Sequence, residues 1–411
     1  MTTGSTRTTP ASPSADLEGR VAALGERLGD SLGAVLAALP EASQGPIRLA
    51  TALGLDRAFA SRLLKALRGG DPIAIAHHLP GTKPLLGFLR VARERGAPGE
   101  ALAEAEDAVL EFGALVREEV GDRSTFDALI SSWLPHARQE FELRRKQTVH
   151  KAMGQLLGVT AETNLASVFL HPSEERGRID VVWLIGLLGI HRWRPGARVK
   201  LATRRLVGEP DRRQPTTLEG RAIEGVEGLR LDGFCDAPPA ELDVRRVGDS
   251  VHYLLAKGSF GRKAASDLVL AEVNRAEMTE SPAPGRVGYV FAEISTPSRT
   301  LLFDVHVHGR LYAGAAAELS LYDTTFDGIV DVNDPEREID RLDLAESLTE
   351  LGPGLGRVRT PAMPRYHDLT RHVCGRLGWS AADFRTYRCE IDYPLYGSQV
   401  VVSFGAPPAA P

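Results

Sequence analysis

The amino-acid sequence predicts an α+β protein of two domains, an all-α N-terminal domain followed by a larger, β-rich, mainly antiparallel domain with a few helices. Three observations carry that expectation. Apolar residues recur at helical spacing almost without a break from Ala15 to Val159. Between Gly158 and Thr163 the pattern changes to short β-branched runs separated by Gly, Pro and charge clusters. Beyond that point no regular alternation of strands and helices occurs, which argues against a doubly wound α/β sheet. A chain of 411 residues is also too long for one typical core. The expected domains are 15–159 and 163–404, flanked by small, polar segments at 1–14 and 405–411 that should be disordered.

The first helix is expected over the stripe Leu17, Val21, Leu24, Leu28, Leu32, Val35, Leu36 and Leu39, up to Pro40. Two short helices joined by a tight turn follow in Pro46 to Leu67, with Leu49, Ala50 and Leu53 in the first and Ala60, Leu63, Leu64 and Leu67 in the second. Gly54 can take the left-handed conformation that ends a helix, Leu55 plugs the corner, and Asp56 is placed to cap the next helix. Gly69-Gly70-Asp71-Pro72 is a stop. The stretch from Ile73 to Pro80 fits a β-wing or a loop leading to a helix over Leu85 to Arg95. Further helices are expected over Gly99 to Gly121 and Ser124 to Leu157, the latter bent at Pro135 and strongly charged around Arg144-Arg145-Lys146.

The small-residue and apolar spacing of 46–67, with its Ser61-Arg62-Leu63-Leu64 continuation, resembles the helix-turn-helix of bacterial transcription regulators. That resemblance implies a second helix entering the major groove of double-stranded DNA. Arg57, Ala58, Ser61, Arg62 and Lys65 would form the face turned to it. Arg57 and Arg62 suit guanine edges, and Ser61, Lys65 and Arg48 suit phosphates. Arg48, Arg57, Arg62, Lys65 and Arg68 stand against Asp56 alone, a local positive surface in a chain of net charge −5. A plain helical hairpin is the competing reading.

In the second domain strands are expected at Leu165 to Leu170, Ile179 to Ile190, Arg198 to Arg205, Leu242 to Val247, Val251 to Leu255, Val287 to Ile294, Thr300 to His308, Glu318 to Tyr322 and Gln399 to Phe404. Helices are expected at Lys263 to Arg275 and Tyr366 to Leu377. Alternation along a strand would put Asp304, His306 and His308 on one face, where two imidazoles and a carboxylate could hold a metal. This HxH pair resembles that of cupins, but Gly309 to Tyr312 offer no glutamate to complete the set. The alternative is the wet face of an edge strand. Gly258 to Lys263 resembles a phosphate loop only superficially, and no nucleophile elbow or dinucleotide fingerprint is present.

Hydrophobic content of 43% and charged content of 25% are ordinary for a globular protein, and the net charge excludes a protein coated in basic surface. Cys235, Cys374 and Cys389 make neither a zinc spacing nor a disulfide framework, which points to the reducing cytoplasm. The run from Ile179 to Ile190 is too short to span a bilayer. The expectation is a cytoplasmic, homodimeric transcription regulator without a cofactor, whose second domain senses an unknown small molecule or drives assembly. The alternatives are a metal-dependent enzyme built on Asp304, His306 and His308, and a structural protein that never meets DNA.

Overall fold

The computed structural model describes residues 13–39, 45–205, 215–223, 226–236, 241–247, 250–255, 260–261 and 264–405. Of the expected tails only Pro13, Ser14 and Gly405 are described, and Pro13 and Ser14 already belong to the first helix. Of the loop Gly258 to Lys263 only Phe260 and Gly261 are described. The architecture is α+β, a helical region followed by a strand-rich, mainly antiparallel one. The chain divides into two compact units, Met1–Glu142 and Leu143–Pro411, so the division falls before the change from helix to strand at Gly158.

The first unit contains α1 (Pro13–Ala37), α2 (Pro46–Leu53), α3 (Arg57–Arg68), α4 (Pro72–His78), α5 (Thr82–Glu94), α6 (Gly99–Ala114) and α7 (Arg123–Ser131). The predicted stripe of α1 is its buried face, with Leu28, Leu32 and Val35 fully enclosed. One core joins it to Leu49, Leu63, Phe88, Phe112, Phe126 and Ile130. No wing follows α3. Asp71 instead caps α4, accepting from the N–H groups of Ile73 and Ala74 at 2.8 and 3.0 Å, and Pro72 sits in the first turn where its missing N–H costs nothing. A π-helical turn, Leu115–Val120, extends α6.

Pro135 does not bend a continuous helix. α7 ends before it, and Pro135 opens α8 (Pro135–Leu157), again as a first-turn proline. The helix α8 crosses the division between the units. Within it Lys146, part of the strongly charged block Arg144-Arg145-Lys146, is buried in an ion pair with Glu346.

The second unit is built on a six-stranded sheet in the order β10 (Thr349–Pro353), β11 (Phe384–Asp392), β8 (Ser298–His308), β1 (Val159–Pro172), β2 (Arg178–Arg192) and β6 (Ser266–Thr279). Its neighbours are antiparallel except β1 and β8, which run parallel. A second sheet orders β7 (Gly288–Glu293), β12 (Ser398–Phe404) and β9 (Ala317–Asp323), and a third β3 (Val199–Arg205), β5 (Ser250–Leu255) and β4 (Leu242–Val247). The odd residues Leu301, Phe303, Val305 and Val307 of β8 share a core with Val290, Ala292, Val400 and Val402 of the second sheet. On the opposite face α9 (Tyr366–Leu377) packs Tyr366, Leu369 and Val373 against Phe169 and Leu184.

The helix expected over Lys263 to Arg275 is replaced, in its described part, by β6. Leu268, Val269, Leu270 and Ala271 are all buried, because both faces of this strand are covered. Such a strand has a continuous apolar run with no period of two, and its Leu, Ala and Glu favour helix by propensity. Pairing with β2 overrides that preference.

Candidate nucleic-acid interface

The turn between α2 and α3 forms as its residues dictate. Gly54 has φ 63°, and the N–H groups of Gly54 and Leu55 both reach the Ala50 carbonyl, closing the end of α2. Asp56 then accepts from the Phe59 N–H at 3.0 Å, so its carboxylate is committed to the start of α3. Ala50 and Ala60 are buried, as are Leu53, Leu63 and Leu64. Phe59 lies 6.1 Å, centroid to centroid, from Phe88.

Burial of those residues turns the others outward. Arg57, Ala58, Ser61, Arg62 and Lys65 are all exposed on one face of α3, Arg48 is exposed on α2, and Arg68 is exposed at the end of α3. Among the described residues, Arg48, Arg57, Arg62, Lys65 and Arg68 make no ion pair. Several other cations of this unit are engaged, Arg20 with Glu119, Arg27 with Glu111, Arg93 with Glu106 and Arg123 with Asp127, while Lys83 and Arg90 on α5 are also exposed without an ion pair among the described residues. The positive field reaches the end of α4. His78 has a pKa below the ordinary imidazole value, through burial first and then through His77, Lys65 and Arg62. Sequence reasoning missed this contribution because it depends on α4 being a helix.

The histidine strand has a different character. Asp304, His306 and His308 do share a face of β8, but β8 is an interior strand buried on both sides rather than an edge. Both oxygens of Asp304 accept from Arg388, at 2.8 and 2.7 Å. His306 is held through Nδ1 by Thr386 Oγ1 at 2.8 Å and through Nε2 by Tyr366 Oη at 3.0 Å and Ser167 Oγ at 3.2 Å. His308 turns to the N–H of Arg310 and to the ring of His171. These side chains are thus spent on one another's neighbours. Among the described residues no group of three His, Cys, Asp or Glu side chains is placed to hold a metal ion.

Burial, with the charge of Arg388 adding to it, pushes His306 down to about 3 from an ordinary 6.5. The folded state therefore keeps this imidazole neutral over a range where the unfolded chain binds a proton. Its contribution to stability is complete above about pH 6.5 and is lost as the pH falls toward about 3, by at most about 1.4 kcal/mol per pH unit. Urea midpoints measured across that window should fall less steeply for His306→Gln than for the parent, and equal slopes would assign the acid sensitivity elsewhere.

No protein-family model matches the chain, and no curated protein matches it. Solved structures of an M1 zinc metallopeptidase from Deinococcus radiodurans, one bound to a Tyr-Ser-Ala substrate, are similar at 11% identity with TM-scores of 0.23 and 0.24. A two-domain M1 zinc metallopeptidase bound to L-tryptophan is similar at 11% identity and 0.23. Each match covers 60% of this chain and 42% of the other, so the chain spans less than half the length of those structures. A likeness this distant carries no argument about activity. Cys235, Cys374 and Cys389 are free, and no helix among the described residues is long and apolar enough to cross a membrane.

Proposed function

We propose that the chain is a DNA-binding transcription regulator of the cytoplasm. Helices α2 and α3 act as its helix-turn-helix, and the second unit serves sensing or assembly. The observation that supports this most is the run of exposed, unpaired cations Arg48, Arg57, Arg62, Lys65 and Arg68, beside an Asp56 already used as a helix cap. Cations left unpaired on one helix face supply the counterion-releasing contacts that phosphates reward, and the small Ala58 and Ser61 between them let the backbone approach the groove. In this reading Arg57 and Arg62 read bases, while Ser61, Lys65 and Arg48 hold phosphates. One such module offers few base contacts, so two chains bind together as a homodimer across half-sites about one duplex turn apart.

Selection of bound sequences from genomic fragments, followed by anisotropy titrations, tests the reading. Arg62→Ala should weaken the preferred site by ~1–3 kcal/mol and relax specificity at one position, while Lys65→Ala should weaken all sequences alike and lower the salt slope by about 1. Equal DNA affinity for the parent and an Arg57/Arg62/Lys65 triple alanine variant would sink it. Light scattering of the complex should give two chains per site, and a monomer with and without DNA would count against the dimer.

A further inference from the structure

We propose that the second unit binds an extended peptide by adding it as a strand to the edge of β7 at Phe291 to Glu293. The site is a cavity of about 790 Å³. Residues of the large sheet line it, among them Asn164 to Ala166 of β1 and Trp183 and Ile185 of β2. The longest run comes from β7 and the residue before it, where every residue from Val287 to Glu293 lines the cavity. A run of seven residues places the cavity along the whole length of β7.

Hydrogen bonding gives the same direction. Ile294 donates to Ser398, so in the register of β7 with β12 the even residues exchange bonds with β12. The backbone N–H and C=O groups of Phe291 and Glu293 then point the other way, and among the described strands β7 pairs with β12 alone. At Val287, which has the same parity, a side-chain amide already plays the missing strand: Asn333 accepts from the Val287 N–H at 2.7 Å and donates to its carbonyl at 3.1 Å. The edge from Phe291 to Glu293 continues that row without such a partner. A bare edge on the outer surface invites aggregation, whereas one inside a cavity admits only a chain that fits.

A second observation marks the same cavity. Asn164 lines it, is 6 % exposed, and makes no side-chain hydrogen bond among the described residues. Its amide opens onto the cavity, and its donor and acceptor together match a peptide group. Between the two ends, the ring of Trp183 lies 6.4 Å from that of Phe291 and gives an aromatic wall. The open stretch from Phe291 to Glu293 is about 10 Å long at the usual rise and pairs about three residues of a peptide. Alternate side chains of that peptide would face Ala166, Trp183 and Ile185, so every second residue should be apolar or aromatic. Calling this peptide the effector of the protein rests on the regulator reading; the site itself does not.

Panning the full chain, free of DNA, against a display library of random five-residue segments tests the site. Enriched peptides should carry apolar residues at every second position. Methylating the backbone nitrogen that pairs with Phe291 should weaken each by about 2- to 10-fold, since one hydrogen bond is lost while the side chains stay. Asn164→Leu should weaken them to a similar degree, and the methylated peptides keep the test valid should that variant fold poorly. No enrichment, or equal affinity of methylated and parent peptides, overturns the proposal. Because DNA is absent throughout, that result leaves the test of α3 untouched, and a failed DNA test leaves this one standing.

Discussion

Replacing Arg388 by alanine is expected to destabilise the second unit by about 3–5 kcal/mol, the cost of leaving a buried charge without its partner. Asp304 is 0 % exposed, and both of its oxygens accept from this guanidinium. Arg388 also donates to the Val358 carbonyl at 2.7 Å, tying the interior strand β8 to the segment that leads into α9. Burial works against the charge of Arg388, yet its bonds to Asp304 hold its pKa above the ordinary guanidinium value. For Asp304 burial outweighs the pull of Arg388 and raises the carboxyl above its ordinary value, so the pair holds by its two-point geometry as much as by its charge. Arg388→Lys keeps the charge and loses the planar fork, so it should fall between the parent and alanine. A double Asp304→Leu/Arg388→Met variant should recover much of the loss, because it removes both charges together. Urea unfolding followed by tryptophan fluorescence reads this, since Trp183, Trp193 and Trp379 all belong to the second unit. A loss below about 1 kcal/mol for Arg388→Ala would mean that water reaches Asp304.

Gly25→Ala should cost the helical unit about 3 kcal/mol or more, at the upper end for overpacking. A Cβ at Gly25 would lie 2.0 Å from the Pro72 carbonyl oxygen and 2.7 Å from its carbon. Those atoms are backbone, so no rotamer change relieves the clash. Helix α1 would have to move away from α4, whose first turn is fixed by the Asp71 cap. Gly33→Ala on the same helix is the control. A Cβ there meets nothing within 4 Å, so the substitution should gain up to ~1 kcal/mol from helix propensity alone. Thermal melts followed at the helical circular-dichroism band should move in opposite directions for the two variants. Parallel shifts would show that α1 and α4 are not in close contact.

Elements with a solvent face were legible in the sequence. The stripe of α1, the turn at Gly54, the Asp56 cap and the helix Tyr366–Leu377 follow from local patterns, because half of each helix meets water and the period is visible. The strands β4 and β12 were close to their expected bounds for the same reason or from their β-branched runs. The strand β6, buried on both faces, carried no period and was misjudged as a helix. The strand β11 went unseen because Arg385, Arg388 and Glu390 break up its apolar residues, although all three are engaged by other parts of the fold.

The exposed cations of α3 belong to the first class. Their spacing is helical, and burial of Leu63 and Leu64 turns them outward in any packing of these two helices. Their lack of carboxylate partners does not follow from sequence, since it depends on which distant acids the fold brings near. Asp304, His306 and His308 show the same division. That they share one face was decided by the alternation of a strand. Whether that face met water, a metal or a core was decided by sheet order, which set β11 on one side and β1 on the other and brought Arg388, Thr386 and Ser167 within hydrogen-bond reach. Local periodicity determines which residues point together; only the pairing of strands far apart in the chain determines what they point at.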